Sequence, residues 1–392
     1  MSYKILGDYI RKVDNKNKDM KILNLQGLSM TKEFRKSTSN IVGTDLSKYK
    51  IVKQGQFCCD FMSVIRVHKL PVVLNNLGED VIISPAYVVF EVIDENLLFP
   101  EYLMLWFRRT EFDRYADFRC DSSIRGGFQW EELCEVELPV PSIEKQREIV
   151  AQYQAVANKI KVNEQICEKL EATAQTLYKQ WFVDFEFPIT KESHPELVSG
   201  SHPQTYKSSG GNMVYSEELK KEIPKGWEVK SLGDLYKFQY GLGNNNPHNG
   251  GEYPVYGSNG IIGFFDKYNS EDAPVIGHIG ANCGSLVFGY GKHYVTYNGV
   301  ICKIKDELYK YYGYRTLQFL DLMSETRGSS QPFISYDILH SLKYFETDET
   351  IITDFSVKDS NIFEQHRNLL KQNQKLTQLQ SLLLSRLATL VG

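Results

Sequence analysis

"KIKVNEQICEKLEATAQTLYKQWF" (residues 159–182) decides how the rest of this chain is read. It belongs to a longer pattern. Ile149, Tyr153, Val156, Ile160, Asn163, Cys167, Leu170, Ala174, Leu177 and Trp181 follow one another at alternating steps of four and three. That is the spacing of a helix burying one narrow stripe against a partner helix. Asn163 is the one polar amide in the stripe. Such a residue costs stability, but it fixes register and partner. Pro141 and Ser142 precede the pattern, with Ser142 as a natural N-cap and Lys145 where a capping box would place a glutamate. Pro188 lies just beyond its end. The spacing predicts one long helix over residues 143–187.

The chain closes on a similar seam: Ile362, His366, Leu369, Asn373, Leu376, Gln380, Leu383, Leu387 and Leu390, within a second helix expected over 351–392. It too carries an asparagine, Asn373, at the place matching Asn163. The regions preceding each helix also repeat. "KILGDY" at 4–9 returns as "KSLGDL" at 230–235, and a serine-rich loop closes each region, "RCDSSIRGGFQWEEL" at 119–133 and "RGSSQPFISYDIL" at 327–339. The plan is globule, helix, globule, helix, so one unit has been duplicated. Domain boundaries are expected at 1–142, 143–187, a polar linker at 188–223, 224–350 and 351–392. The linker leaves parallel and antiparallel pairing of the helices both open.

At 392 residues the chain is too long for a single ordinary core. Hydrophobic residues make up 42% and charged residues 24%, the balance of a water-soluble globular protein. No apolar run is long enough to cross a membrane, and "MSYKILGDYI" lacks the pattern of a secretory signal. A cytoplasmic protein with no membrane partner is the expectation. Seven cysteines without a CxxC pair fit reduced thiols rather than disulfides or zinc. The net charge of −4 argues against a generally basic nucleic-acid binder. Residues 1–142 and 224–346 each hold nearly equal numbers of basic and acidic side chains. Tight DNA binding by this chain alone is therefore not expected.

Several stretches together resemble the specificity subunit of type I restriction–modification systems. They are "LPVPSIEKQREIVAQYQ" at 138–154, "NKIKVNEQICEKLEATAQTLYKQWFVDFEFP" at 158–188, "YKSSGGNMVYSEELKKEIPKGWEVKSLGD" at 206–234 and "YPVYGSNGIIGFFDKY" at 253–268. The resemblance implies an α+β fold with an internal pseudo-twofold duplication. Two mixed α/β target-recognition domains would be separated by two long antiparallel helices forming a coiled-coil-like rod. Each domain would read one half of a split site in double-stranded DNA. The helices would set the gap and dock two methyltransferase (M) subunits, with restriction/translocase (R) subunits joining in the full complex. The cofactor S-adenosylmethionine would belong to the methyltransferase partner, and none to this chain. The chain departs from the family pattern in three places. No Gly-Trp precedes the first LGD, "ETDETIITDF" replaces the Pro-x-Pro and glutamine that introduce the first helix, and 189–205 looks inserted.

Sequence reading in a duplex needs donors and acceptors held at base edges, with phosphate contacts to fix register. In the second domain "GSNGIIG" and "GHIGANCG" offer Ser258, Asn259, His278 and Asn282 on glycine-rich turns. Arg327, Ser329, Ser330 and Gln331 form a further polar loop. In the first domain Arg66, His68 and Lys69 are expected on a strand-to-loop turn, and Arg119, Ser122, Ser123 and Arg125 on the matching serine-rich loop. Helix pairing is assigned to Ile149, Val156, Ile160, Asn163, Leu170 and Leu177, against Leu369, Asn373, Leu376, Leu383 and Leu387.

"NNNPHNGG" at 244–251 approaches the Asn-Pro-Pro-aromatic loop of an amino-methyltransferase but lacks its second proline. There is no GxGxxG after a strand and no GxxxxGK[ST]. No cysteine or histidine stands at the spacing of a nucleophile and its base. No catalytic residue and no metal site is expected. The rival reading is a protein-interaction adaptor whose helices recruit a partner without any reading of sequence.

Overall fold

A computed structural model describes residues 3–37, 43–120, 128–189, 204–243, 250–258, 260–328 and 330–389. The chain forms two compact units, Met1–Val162 with Gln372–Gly392, and Asn163–Lys371. The two long helices, Ile143–Tyr178 and Glu349–Arg386, are each divided between them. At 1.5 Å per residue each helix is about 55 Å long.

Both units share a frame written by the LGD repeat. In the first, strand Tyr3–Ile5 pairs antiparallel with Glu137–Pro139, and Leu6 N–H donates to Val136 O at 2.8 Å. In the second, Glu228–Ser231 pairs with Lys343–Glu346, and Leu232 N–H donates to Leu342 O at 2.6 Å. The motif's glycine passes so close to the short helix opposite that a Cβ has no room. It would lie 2.9 Å from Cys134 Cβ at Gly7 and 2.2 Å from His340 Nδ1 at Gly233. Duplication at the sequence level is thus duplication of a packing contact.

Each frame carries its own sheet. The first unit has four antiparallel strands in the order Ile10–Val13, Val88–Val92, Phe57–Cys59, Val72–Leu74. The helix Pro100–Phe107, buried along nearly its whole length, packs on it. The second unit has six strands, ordered Tyr236–Tyr240, Gly299–Ile304, Ser270–Gly277, Leu286–Val295, Tyr253–Gly257, Gly260–Phe265. Its core is dominated by aromatic rings. Phe182 lies 4.6 Å from Tyr312 and 5.0 Å from Phe355, and Phe187 stacks on Trp227 at 5.4 Å. The segment expected to be a polar linker is partly folded into this core. Hairpins pair Pro188–Ile189 with Gln204–Thr205 and Met213–Ser216 with Lys221–Pro224, and buried Tyr206 stacks on Phe187.

The seam residues of the first helix are buried or half-buried: Ile149, Val156, Ile160, Leu170 and Leu177 are half-buried, and Asn163 is fully buried. In the second helix Leu369, Asn373, Leu376 and Leu383 are half-buried and Leu387 is buried; Leu390 lies outside the described residues. Within the first unit Ile149 and Tyr153 share a core with Leu384 and Leu387, while Asn373 Nδ2 lies 3.4 Å from Ile160 O. Within the second unit Tyr178 packs edge-on against Phe355 at 6.0 Å. Numbers rise along one helix as they fall along the other, so in each unit the helices are antiparallel.

The two helices begin differently, as their sequences foretold. Gln146 is fully buried at the start of the first. Its Nε2 donates to Leu97 O (2.9 Å) and Pro141 O (2.8 Å), and its Oε1 accepts from Phe99 N–H (2.8 Å). The second starts after Asp348, whose carboxylate accepts from Thr350 N–H (2.8 Å) and Thr350 Oγ1 (2.6 Å) and is held below the usual carboxylate range by those bonds.

The second seam also begins earlier than the sequence suggested. Ile352, Phe355 and Asp359 continue the three-four spacing upstream of Ile362, and all are buried. Asp359 is answered by Arg315, which is itself only 1% exposed. Arg315 Nε donates to Asp359 Oδ2 at 3.0 Å, and Nη1 donates to Glu171 of the first helix at 2.8 and 2.9 Å. Burial raises the Asp359 carboxyl, and the guanidinium offsets this only in part. Burial works on Glu171 in the same direction but is outweighed by Arg315, so that carboxyl ends below its ordinary value. His366, the next polar seam residue, meets Tyr290 Oη at 3.0 Å. Asp359 and His366 therefore face the second unit's own side chains.

Candidate nucleic-acid interface

In the second unit, glycine-rich turns and the serine-rich loop come together. Gly277 N–H donates to Ser285 O (2.8 Å), and Ser285 Oγ donates to Ser258 O (2.5 Å), so the turn holding Ser258 is tied to the turn holding Asn282. Gly280 N–H donates to Pro332 O (2.9 Å) and Ile334 N–H to His278 O (3.0 Å), which joins that turn to the loop from Arg327. The loop closes on itself through reciprocal backbone bonds between Arg327 and Phe333. Asn282, Arg327, Ser330 and Gln331 are exposed on this surface, and Ser258 is half-buried. Asn259 and Ser329 lie outside the described residues.

His278 departs from expectation. It is 6% exposed, so it is not available as a surface contact. Its Nδ1 lies 3.0 Å from Ile334 O, and its ring packs between Tyr240 and Tyr297, with centroids 4.5 and 5.6 Å away. A δ-protonated tautomer donates to that carbonyl and ties the turn to the loop. Tyr336 stacks on Tyr240 at 3.9 Å and its hydroxyl meets Tyr240 N–H, which fixes the platform beneath. These tyrosines were not singled out from sequence. Tyr240 ends a strand, Tyr297 lies in a turn and Tyr336 opens a short helix, and nothing local says that they converge on one histidine.

In the first unit the expected strand-to-loop turn is a one-turn helix, Val64–Val67, capped by His68 in the left-handed conformation (φ 55°). Asp60 organises it by accepting from Met62 N–H, Ser63 N–H and Ser63 Oγ. Arg66 is exposed and donates to Ser63 Oγ at 3.2 Å; Lys69 is exposed beyond the cap. His68 Nδ1 lies 2.8 Å from Asp117 on the helix Thr110–Arg119. That contact brings Arg66, His68 and Lys69 beside the helix end where Arg119 pairs with Glu135 and leans over Tyr115. Phe118, in the last turn, is 87% exposed. Ser122, Ser123 and Arg125 lie outside the described residues. Two of the four placed side chains, His68 and Arg119, are thus partnered by acids in the free protein.

Among the described residues no group of three or more His, Cys, Asp or Glu side chains could hold a metal ion, and no helix is long and apolar enough to cross a membrane. Cys58 and Cys59 lie buried in a sheet strand, where burial drives both thiols well above their ordinary pKa. They are core residues.

Residues 224–344 match the family described as the type I restriction modification DNA specificity domain. Over 182 residues the chain is 35% identical to the type I restriction enzyme MjaIX specificity subunit of Methanocaldococcus jannaschii, covering 44% of this chain and 34% of that protein. Over 202 residues it is 25% identical to the HindI specificity subunit of Haemophilus influenzae, covering 41% and 43% respectively. The matches thus span between a third and a half of these relatives' lengths. The fold is similar along nearly the whole chain to the type I restriction–modification S subunit from M. genitalium (TM-score 0.56, 12% identity, 99% of this chain and 96% of that one). The chain thus carries a type I restriction modification DNA specificity domain at 224–344, on a fold that is similar along nearly its whole length to a solved S subunit.

Proposed function

We propose that this chain is the DNA-reading subunit of a type I restriction–modification complex. Each unit reads one half of a bipartite site in double-stranded DNA, and the long helices set the interval and dock two methyltransferase subunits. The restriction/translocase subunits complete the assembly, which works in the cytoplasm. The chain performs no chemistry itself. S-adenosylmethionine and the pocket that receives a flipped adenine belong to the methyltransferase partner.

The observation that carries this reading is the duplicated frame with different loops on each copy. One scaffold presents two independent sets of polar side chains, as a two-part site requires. In the second unit Arg327 supplies the fork that suits guanine O6 and N7, and Gln331 and Asn282 supply amides that suit adenine N6 and N7. Ser258 and Ser330 add hydroxyls able to serve either. In the first unit Arg66, Lys69 and Arg119 supply the cations, and His68 holds their segment to the neighbouring helix. His278 acts from below, by keeping the second unit's two reading loops joined.

Co-expression with the methyltransferase of its own system should place N6-methyladenine in one split motif with a fixed gap. Methylome sequencing is the test. A formed complex that methylates without any split motif overturns the reading.

A further inference from the structure

Residues 1–142 hold nearly equal numbers of basic and acidic side chains, yet those charges are not evenly spread. A groove of about 570 Å³ on this unit is lined by Lys12, Lys16, Lys48 and Lys50, against Asp14 as its only acid, with Pro85 and Val88 along the floor. The lysines come from separate stretches that backbone hydrogen bonds lace together. Asn17 N–H donates to Tyr49 O (3.0 Å) and Ile51 N–H to Asn15 O (2.8 Å), and Lys16 and Lys50 form a bridge. Lys12 stands on the strand Ile10–Val13, its ammonium 5.1 Å from the centre of the Trp130 ring. Lys48 ends the short turn Leu46–Lys48.

The four lysines divide by role. Lys50 is committed inward. Its Nζ donates to Tyr87 O at 2.7 Å and lies 4.0 Å from Asp14. Lys12, Lys16 and Lys48 are exposed. Among the described residues, Lys48 is the one of these three that forms an ion pair, with Asp45 at 3.7 Å, and both side chains are more than half exposed, so that pair is weak. Tyr87, whose carbonyl receives Lys50, has its hydroxyl within electrostatic reach of Arg35 and Arg66.

We propose that this groove is a phosphate-binding track of the first recognition unit, in which Lys12, Lys16 and Lys48 neutralise the DNA backbone flanking the bases that the Arg66 surface reads. The inference rests on the proposed function and adds the positioning half of that contact. A set of exposed ammonium groups carried on a laced backbone, with Asp14 the one acid among the groove's described lining residues, suits a polyanion, and point charges without fixed orientation suit phosphates rather than base edges.

The test uses the assembled methyltransferase complex and a duplex carrying its methylated motif. Each phosphate neutralised contributes about −0.9 to the slope of log K against log salt. Lys12→Gln/Lys16→Gln/Lys48→Gln should therefore flatten the slope by about 2.7. Between 50 and 200 mM salt the wild type should then lose about 40-fold more affinity than the variant. The methylated motif should stay the same, and the triple Lys→Arg variant should retain the full slope. An unchanged slope in the glutamine variant overturns the track, and so does a changed motif, which would make these lysines base readers. A wild-type complex without sequence-specific binding would instead overturn the proposed function, before any variant is made.

Discussion

Replacing Arg315 with methionine tests the energetics of the second unit directly. The substitution keeps an unbranched chain in the site and removes the charge, leaving Asp359 with a side chain that is 0% exposed and no cation beside it. A bare carboxylate in that position is untenable, so it takes up a proton. Holding a carboxyl neutral at pH 7 against an unfolded pKa of about 3.9 costs about 4 kcal/mol, at 1.36 kcal/mol per pH unit. At pH 5 the same calculation gives about 1.5 kcal/mol. The mutant should therefore be badly destabilised at neutral pH and recover toward pH 5. Adding Asp359→Leu should restore most of the loss at pH 7, since removing both members of a buried pair is often nearly neutral. Urea unfolding followed through Trp181 and Trp227, both in this unit's core, gives the free energies. Hydrogen exchange over 310–319 and 355–371 locates them. A cost under about 1 kcal/mol at pH 7, a cost that does not shrink by pH 5, or a double mutant no more stable than Arg315→Met would each refute the reasoning.

Further outcomes can be measured in the same way. Gln146→Leu orphans the Leu97 and Pro141 carbonyls and the Phe99 N–H, and should cost the first unit about 2–3 kcal/mol in urea unfolding, with exchange protection lost first at the start of the long helix. Gly7→Ala forces the LGD turn away from Cys134 and should cost about 1–3 kcal/mol, while the exchange of the second unit's core stays unchanged. Glu171 has a lowered carboxyl pKa, so the stability it contributes is present above its unfolded value and is lost as pH falls through the lowered folded value. Glu171→Gln should accordingly be less stable than wild type by about 1–2 kcal/mol at pH 7, with the gap closing on the acid side of the ordinary glutamate range. Asn163→Leu should keep the helix and blur its register, giving more than one exchange population where the wild type gives one.

The seam was legible because helical periodicity is a local property. Residues three and four apart share a face whatever surrounds them, and Asn163 stood out as an amide among hydrophobic neighbours. The LGD repeat was equally visible, since the glycine's close approach is required twice. The reasons for the second seam's polar residues were not visible. Asp359 is explained by Arg315, 44 residues away, and His366 by Tyr290, 76 residues away. The candidate interface was partly legible: glycine-rich turns announced the loops, but burial of His278 depends on Tyr240, from a distant strand, and Tyr297, from a turn. The lysine groove was invisible for a further reason. Each lysine looks like a solvated charge in its own stretch, and a domain total near zero averages the cluster away.

The Arg315 contact also bears on how this protein could acquire new specificity. The globular part of the second unit and the helix against it are matched by charge, because among the described residues Asp359 in the helix is neutralised by Arg315, which the globular part contributes. A transplanted module without an arginine at that place would inherit a sequestered acid and a penalty set by the ambient pH. Any exchange of that module for another is then filtered by one ionic handshake before the newcomer's own loops come into play.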